Sequence, residues 1–127
     1  MRKITEHVAN PVNDRLQIAV LDKPGAGGAS HVYEITATMP DGVSPAPEFE
    51  PVIVRFQNGP IAEADVNGVT QEALLAIVAD RLRSFQAGPY PCQENSYALA
   101  HVDKALRALK ERTIDRMARG VEGITKP

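Results

Sequence analysis

The sequence predicts an α+β fold, an N-terminal antiparallel β-sheet followed by a C-terminal antiparallel helical hairpin. Three observations predict it. The 10 prolines and 9 glycines fall mostly in the first 70 residues, so that half is rich in turns. Its apolar residues come in short β-branched runs. From Thr70 onward the apolar period lengthens from about two residues to between three and four. A chain of 127 residues fits one domain spanning residues 1–127. It divides into a β-sheet subregion (1–68), a helical hairpin (69–120) and a tail (121–127). Aromatic residues make up 5% and Trp is absent, so Val, Ile, Leu and Ala must form the core. A core this modest favours self-association.

Residues 16–21 and 31–38 are β-prone and read as two strands. Asp22-Lys23-Pro24-Gly25-Ala26-Gly27-Gly28 joins them as a turn-rich connector. Four prolines between positions 40 and 51 exclude a central strand there. Residues 51–57 are apolar and β-branched, and 61–66 alternate. Asn58-Gly59 between them signals a hairpin, because both residues tolerate positive φ, while Pro60 pushes the second strand to an edge.

Thr70 then offers an N-cap, with Glu72 favourably near the positive end of the helix dipole. Leu74, Val78, Leu82 and Phe85 recur at helical spacing, widened by Leu75 and Ile77, until Gly88 and Pro89 stop the helix. A second helix runs from about Gln93 to Arg119, with Leu99, Val102, Leu106, Leu109, Thr113 and Met117 as its apolar stripe and Gly120 closing it. At more than 25 residues, its far end needs a partner to cover that stripe.

The formal net charge is −2, against the basic excess by which duplex-DNA binders neutralise phosphate. A single Cys92 excludes an intramolecular disulfide and a multi-cysteine zinc site. Neither a signal peptide nor a membrane span is expected. No catalytic residues, metal ligands or cofactor are expected either. The serines lack a nucleophile-elbow context, and His7, His31 and His101 are scattered. Gly25-Ala26-Gly27-Gly28 lacks the Lys-Ser/Thr of a P-loop, and reads first as a hairpin turn. Cys92 reads as an incidental thiol, and Glu111 and Asp115, interleaved with Arg112 and Arg116, as surface ion pairs.

Better candidates lie on the hairpin. Arg112, Arg116 and Arg119 follow at steps of four and three on one helix side. They either complement the helix dipole or clamp phosphate through paired hydrogen bonds. Phe85 is either core or a stacking platform for a nucleobase. Asn95 either caps its helix or reads a base edge or ribose. Asn95 and Arg112 stand 17 positions apart, roughly 25 Å along a helix, farther than a mononucleotide reaches. Cooperation therefore requires two copies with antiparallel second helices, as in a two-fold dimer.

Arg55-Phe56-Gln57-Asn58-Gly59-Pro60-Ile61, Val66-Asn67-Gly68-Val69-Thr70, Asp80-Arg81-Leu82-Arg83-Ser84-Phe85-Gln86, Glu94-Asn95 and the segment Arg112 to Gly123 together resemble the Thoeris anti-defence protein 1 family. Pro24 to Gly28, with His31 and Tyr33, is similar to that family's N-terminal part. Residues 39–51 have no evident counterpart, and Gly123-Ile124-Thr125 departs slightly from the Gly-Thr-His ending of relatives.

The resemblance implies a phage protein acting in the host bacterial cytoplasm. It would sequester cyclic ADP-ribose isomers made by TIR-domain enzymes without cleaving them. Its hairpin would be related to that of anti-CBASS sponges. It implies a homodimer, able to assemble into a hexamer, and cyclic di- or trinucleotides as further ligands of some members. By position, Phe85, Asn95 and Arg112 match the signal-binding residues. Arg116, Arg119 and Gly120 fall near a further phosphate-binding region, and His31 joins the ligand-binding candidates. A hydrolase using His31 or Glu111 as base, and a docking module without nucleotide affinity, are the competing classes.

Overall fold

The computed structural model describes residues 1–11 and 13–120. The expected tail, 121–127, lies outside the described residues. Two compact units are present. One comprises Met1–Gly59 with Val66–Gly68, and the other Pro60–Asp65 with the chain from Val69 onward.

The first unit holds a four-stranded antiparallel sheet in the order β1 (Arg2–Ile4), β2 (Leu16–Val20), β3 (Val32–Ala37), β4 (Val52–Arg55). Strands β2 to β4 sit where the β-branched runs predict them, and residues 39–51 form no strand. Strand β1 is an addition, short and with two charged residues, Arg2 and Lys3, among its three. Its register pairs Ile4 with Ile18, and Ile18 pairs with Ile35, which pairs with Val52. Because side chains alternate, Ile18, Val20, Tyr33, Ile35 and Val54 share one face. Val20 is buried at 4% exposure, and Tyr33 meets Phe56 edge-to-face with centroids 5.6 Å apart.

The β2–β3 connection is closed by Asp22. Its carboxylate accepts hydrogen bonds from the backbone N–H of His31 (2.8 Å) and Val32 (2.9 Å). The Val32 N–H, then that of His31, holds this carboxyl below its ordinary range. Within the connection, Gly27 and Gly28 adopt φ of 74° and 84°, open to glycine without strain.

The expected strand over 61–66 is not formed. Ile61–Ala64 is instead a single helical turn, α1, entered through Pro60. Gly59 does take the positive φ that an Asn-Gly turn demands, at 88°. The hairpin fails because a side chain takes the partner strand's place. Asn67 Oδ1 accepts from Asn58 N–H, and Asn67 Nδ2 donates to Asn58 C=O, both at 2.8 Å. Gln57 Oε1 accepts from Asn67 N–H at 3.0 Å.

The second unit is the helical hairpin, α2 (Gln71–Ala87) and α3 (Gln93–Ala118), which pack together. Thr70 caps α2 as predicted, its hydroxyl accepting from Ala73 N–H at 3.1 Å. Gly88 ends it. Cys92 is not incidental: it is the N-cap of α3, with Sγ accepting from Asn95 N–H at 3.4 Å. Arg83 on α2 reaches Asp103 on α3 at 2.6 Å. On α3 the inward stripe runs Leu99, Val102, Leu106, Leu109, Thr113, and then Arg116, which is buried. Met117, expected to close that stripe, is 63% exposed. Strict alternation of three- and four-residue steps lands on position 116, and the rhythm prevails over polarity. With 26 residues against 17, α3 exceeds α2 by about 13 Å. The short link from Gly88 to Cys92 keeps the helices level at one end, so the excess lies at the α3 C-terminus. No helix among the described residues is long and apolar enough to cross a membrane.

Candidate functional site

The hairpin separates its candidate residues by end. At the linked end, Phe85 occupies the last turn of α2 and Asn95 the first turn of α3. The two helix ends are tied where Cys92 N–H donates to Gln86 Oε1 at 3.0 Å. Phe85 is 51% exposed and is not a core residue. The inward positions on α2 belong instead to Leu75, Ala79, Leu82 and Gln86. Arg81, one turn earlier, places its guanidinium carbon 5.4 Å from the Phe85 ring centroid. Asn95 is half-buried, and its backbone N–H is taken by the Cys92 cap, which leaves its carboxamide side chain free of the capping role.

At the other end, all three arginines of the row lie on the part of α3 that extends past α2. They are not equivalent. Arg112 is exposed and forms no ion pair among the described residues. Arg116 is 7% exposed and turned inward. Arg119 is engaged by Asp115, Nε to Oδ2, at 3.1 Å. Gly120 follows with φ 72°, the left-handed conformation that suits a glycine after a helix. Arg112 is thus the exposed member of the row not committed to a carboxylate, and it stands roughly 25 Å along α3 from Asn95. The structure does not bring Asn95 and Arg112 together within one chain.

His31 belongs to the sheet unit. It is 8% exposed, and its buried Nδ1 has no hydrogen-bond partner among the described residues. Its backbone is fixed on both sides, by Asp22 at the N–H and by Phe56 N–H at the C=O. Among the described residues no group of three or more His, Cys, Asp or Glu is placed to hold a metal ion.

Sequence reasoning missed Arg81 as a neighbour of Phe85, although the i,i+4 spacing makes them neighbours on one helix face. It also missed the cap at Cys92, since cysteine is an uncommon N-cap residue.

Residues 50–113 match the Acb2/Tad1, hairpin domain. That range takes in β4, α1, α2 and most of α3, with Phe85, Asn95 and Arg112 inside it. The chain is also 46% identical over 70 residues to Thoeris anti-defense 1 of Bacillus phage SBSphiJ7, a match covering 55% of this chain and 49% of the relative. The chain therefore spans about half the length of that curated relative. The resemblance carried by the motifs from Arg55 to Arg112 falls within the matched range and is borne out, and the chain belongs to the Acb2/Tad1 hairpin-domain family.

Proposed function

We propose that this chain is a phage anti-defence protein that binds and sequesters cyclic ADP-ribose-type signals without cleaving them. The observation that carries the reading is the uncommitted chemistry at the two ends of the hairpin. A half-exposed aromatic ring and a half-buried carboxamide that is not used as the helix cap stand at one end. An exposed guanidinium, with no carboxylate partner among the described residues, stands at the other. A cyclic ADP-ribose isomer offers a purine face, ribose hydroxyls and a pyrophosphate. Ring stacking, amide hydrogen bonding and guanidinium pairing match these in turn. The relative's name, Thoeris anti-defense 1, supports the same reading.

Because about 25 Å separates Asn95 from Arg112, the pocket is completed by a second copy. Phe85 and Asn95 come from one protomer and Arg112 from a partner whose α3 runs antiparallel; a two-fold dimer holds two such pockets. Arg116, Arg119 and Gly120 form the neighbourhood of a further phosphate site that would serve cyclic oligonucleotides. Arg119 reaches a phosphate there only by leaving Asp115. A pocket closed between subunits buries most of its ligand and slows release, which is all that sequestration requires.

The test is calorimetric titration of wild type and Arg112→Ala with cyclic ADP-ribose isomers and cyclic dinucleotides, with mass measured under native conditions. Arg112→Ala abolishes binding and leaves the helical circular dichroism and the oligomer intact. Ligand recovered from the heat-denatured complex is chemically unchanged. Undiminished affinity in the variant overturns the pocket; hydrolysed ligand replaces the sponge with an enzyme.

A further inference from the structure

We infer that Arg81 is a positioning residue for the ligand site, holding the Phe85 ring from one face so that the other face alone receives a nucleobase. The inference rests on the proposed function for the identity of the ligand. The geometry behind it is independent. The Arg81 guanidinium lies 5.4 Å from the ring centroid, within the range of a cation–π contact. The two arginines of this stretch of α2 have different uses. Arg83 is engaged by Asp103 across the hairpin at 2.6 Å, whereas Arg81 forms no ion pair among the described residues. Its charge is therefore available to the ring.

Phe85 needs such support because it is half-exposed and lies outside the inward row Leu75, Ala79, Leu82 and Gln86 that packs α2 on α3. An unsupported exposed ring samples several rotamers, and stacking a base on it requires freezing them. A guanidinium already seated on one face lowers that cost before the ligand arrives. It also limits each ring to one stacked base, because the second face is occupied. Arg81 acts through Phe85 and not on the ligand's phosphates, and this separates its role from that of Arg112.

A double-mutant cycle tests the distinction. Wild type, Arg81→Ala, Phe85→Leu and the double variant are titrated with cyclic ADP-ribose. Arg81→Ala weakens binding by about two- to five-fold, the size of an exposed cation–π contact, and Arg81→Lys restores part of it. In the Phe85→Leu background, removal of Arg81 has no further effect. The melting temperature of Arg81→Ala matches wild type, and in the free protein the Phe85 ring-proton resonances move toward random-coil positions. An Arg81 effect that persists without the Phe85 ring, with a shallower salt dependence, assigns Arg81 to the phosphates and overturns the inference. Equal affinities for wild type and Arg81→Ala, or unmoved ring resonances, overturn it as well. If wild type takes up none of the cyclic nucleotides, the proposed function falls and the inference with it. Normal uptake with an indifferent Arg81 removes only the inference.

Discussion

Gly68→Ala tests the link that replaces the expected hairpin. A Cβ at Gly68 would lie 2.5 Å from the carbonyl carbon of Phe56, and 2.6 Å from the carbonyl oxygens of both Arg55 and Phe56. All three are backbone atoms at the end of β4, so no side chain can rotate to make room. Reaching an ordinary contact of 3.4 Å requires the two segments to separate by at least 0.9 Å, the difference between 3.4 and 2.5. That separation lengthens the bonds made by the adjacent Asn67: two of 2.8 Å to Asn58 and one of 3.0 Å to Gln57. At about 1 kcal/mol net for each hydrogen bond, and allowing for partial relaxation, the cost is about 2–4 kcal/mol. For a unit of this size that lowers the melting temperature by roughly 10–25 °C. Scanning calorimetry of Gly68→Ala beside Gly42→Ala is the assay. Gly42 has φ 73° and nothing near its would-be Cβ, so it reports the conformational cost alone, about 1 kcal/mol. A Gly68→Ala variant that melts with wild type, or no lower than Gly42→Ala, refutes the steric reasoning.

Three further outcomes follow from local chemistry. Thr70→Ala removes the acceptor for Ala73 N–H and lowers stability by about 1 kcal/mol in denaturant unfolding; an unchanged midpoint shows the cap to be idle. At Cys92 the trend reverses with the substituent, because serine is the better cap. Cys92→Ser matches or exceeds wild type in thermal melting, Cys92→Ala falls below it, and the opposite order rejects the cap. Asp22 has a folded pKa below its ordinary 3.8. Its stabilisation is therefore complete above that value and is lost as pH falls through the lower, folded one. Acid unfolding of Asp22→Asn is flatter than that of wild type below about pH 4, and parallel curves contradict the assignment.

Strands β2, β3 and β4 were legible because β-branched runs bounded by turn residues leave few alternatives. The same logic misread residues 61–66. Asn58-Gly59 carried a correct local signal for positive φ, but local signals do not say whether a strand or a single carboxamide will satisfy the backbone beyond the turn. Strand β1 is three residues long, too short for any period to show. Both helices of the hairpin were legible, together with the Thr70 cap. On α3 Met117 was misplaced by following apolar character when alternate steps of three and four lead to Arg116, and on α2 Ile77, Val78 and Phe85, read as part of the stripe, are 59%, 43% and 51% exposed. Among the candidate site residues, identity and spacing were legible. Degree of engagement was not, since it depends on which neighbour each side chain meets. Phe85 met Arg81, Arg119 met Asp115, and Arg112 was left uncommitted.

The unequal lengths of α2 and α3 bear on how a signal would be caught. Residues beyond about position 110 extend past the length of α2, and from 111 to 120 all but Thr113 and Arg116 are exposed, so those turns hold their backbone amides with less support than the turns that α2 covers. Arg112 rides on this stretch. A ligand that pins Arg112 would quiet the whole overhang, and amide hydrogen exchange would slow from about residue 110 to 118 while the turns around Val102 stay as they were. Capture would then be recorded as a stiffening of one helix end, and the slowness of escape would reflect how seldom that end frays.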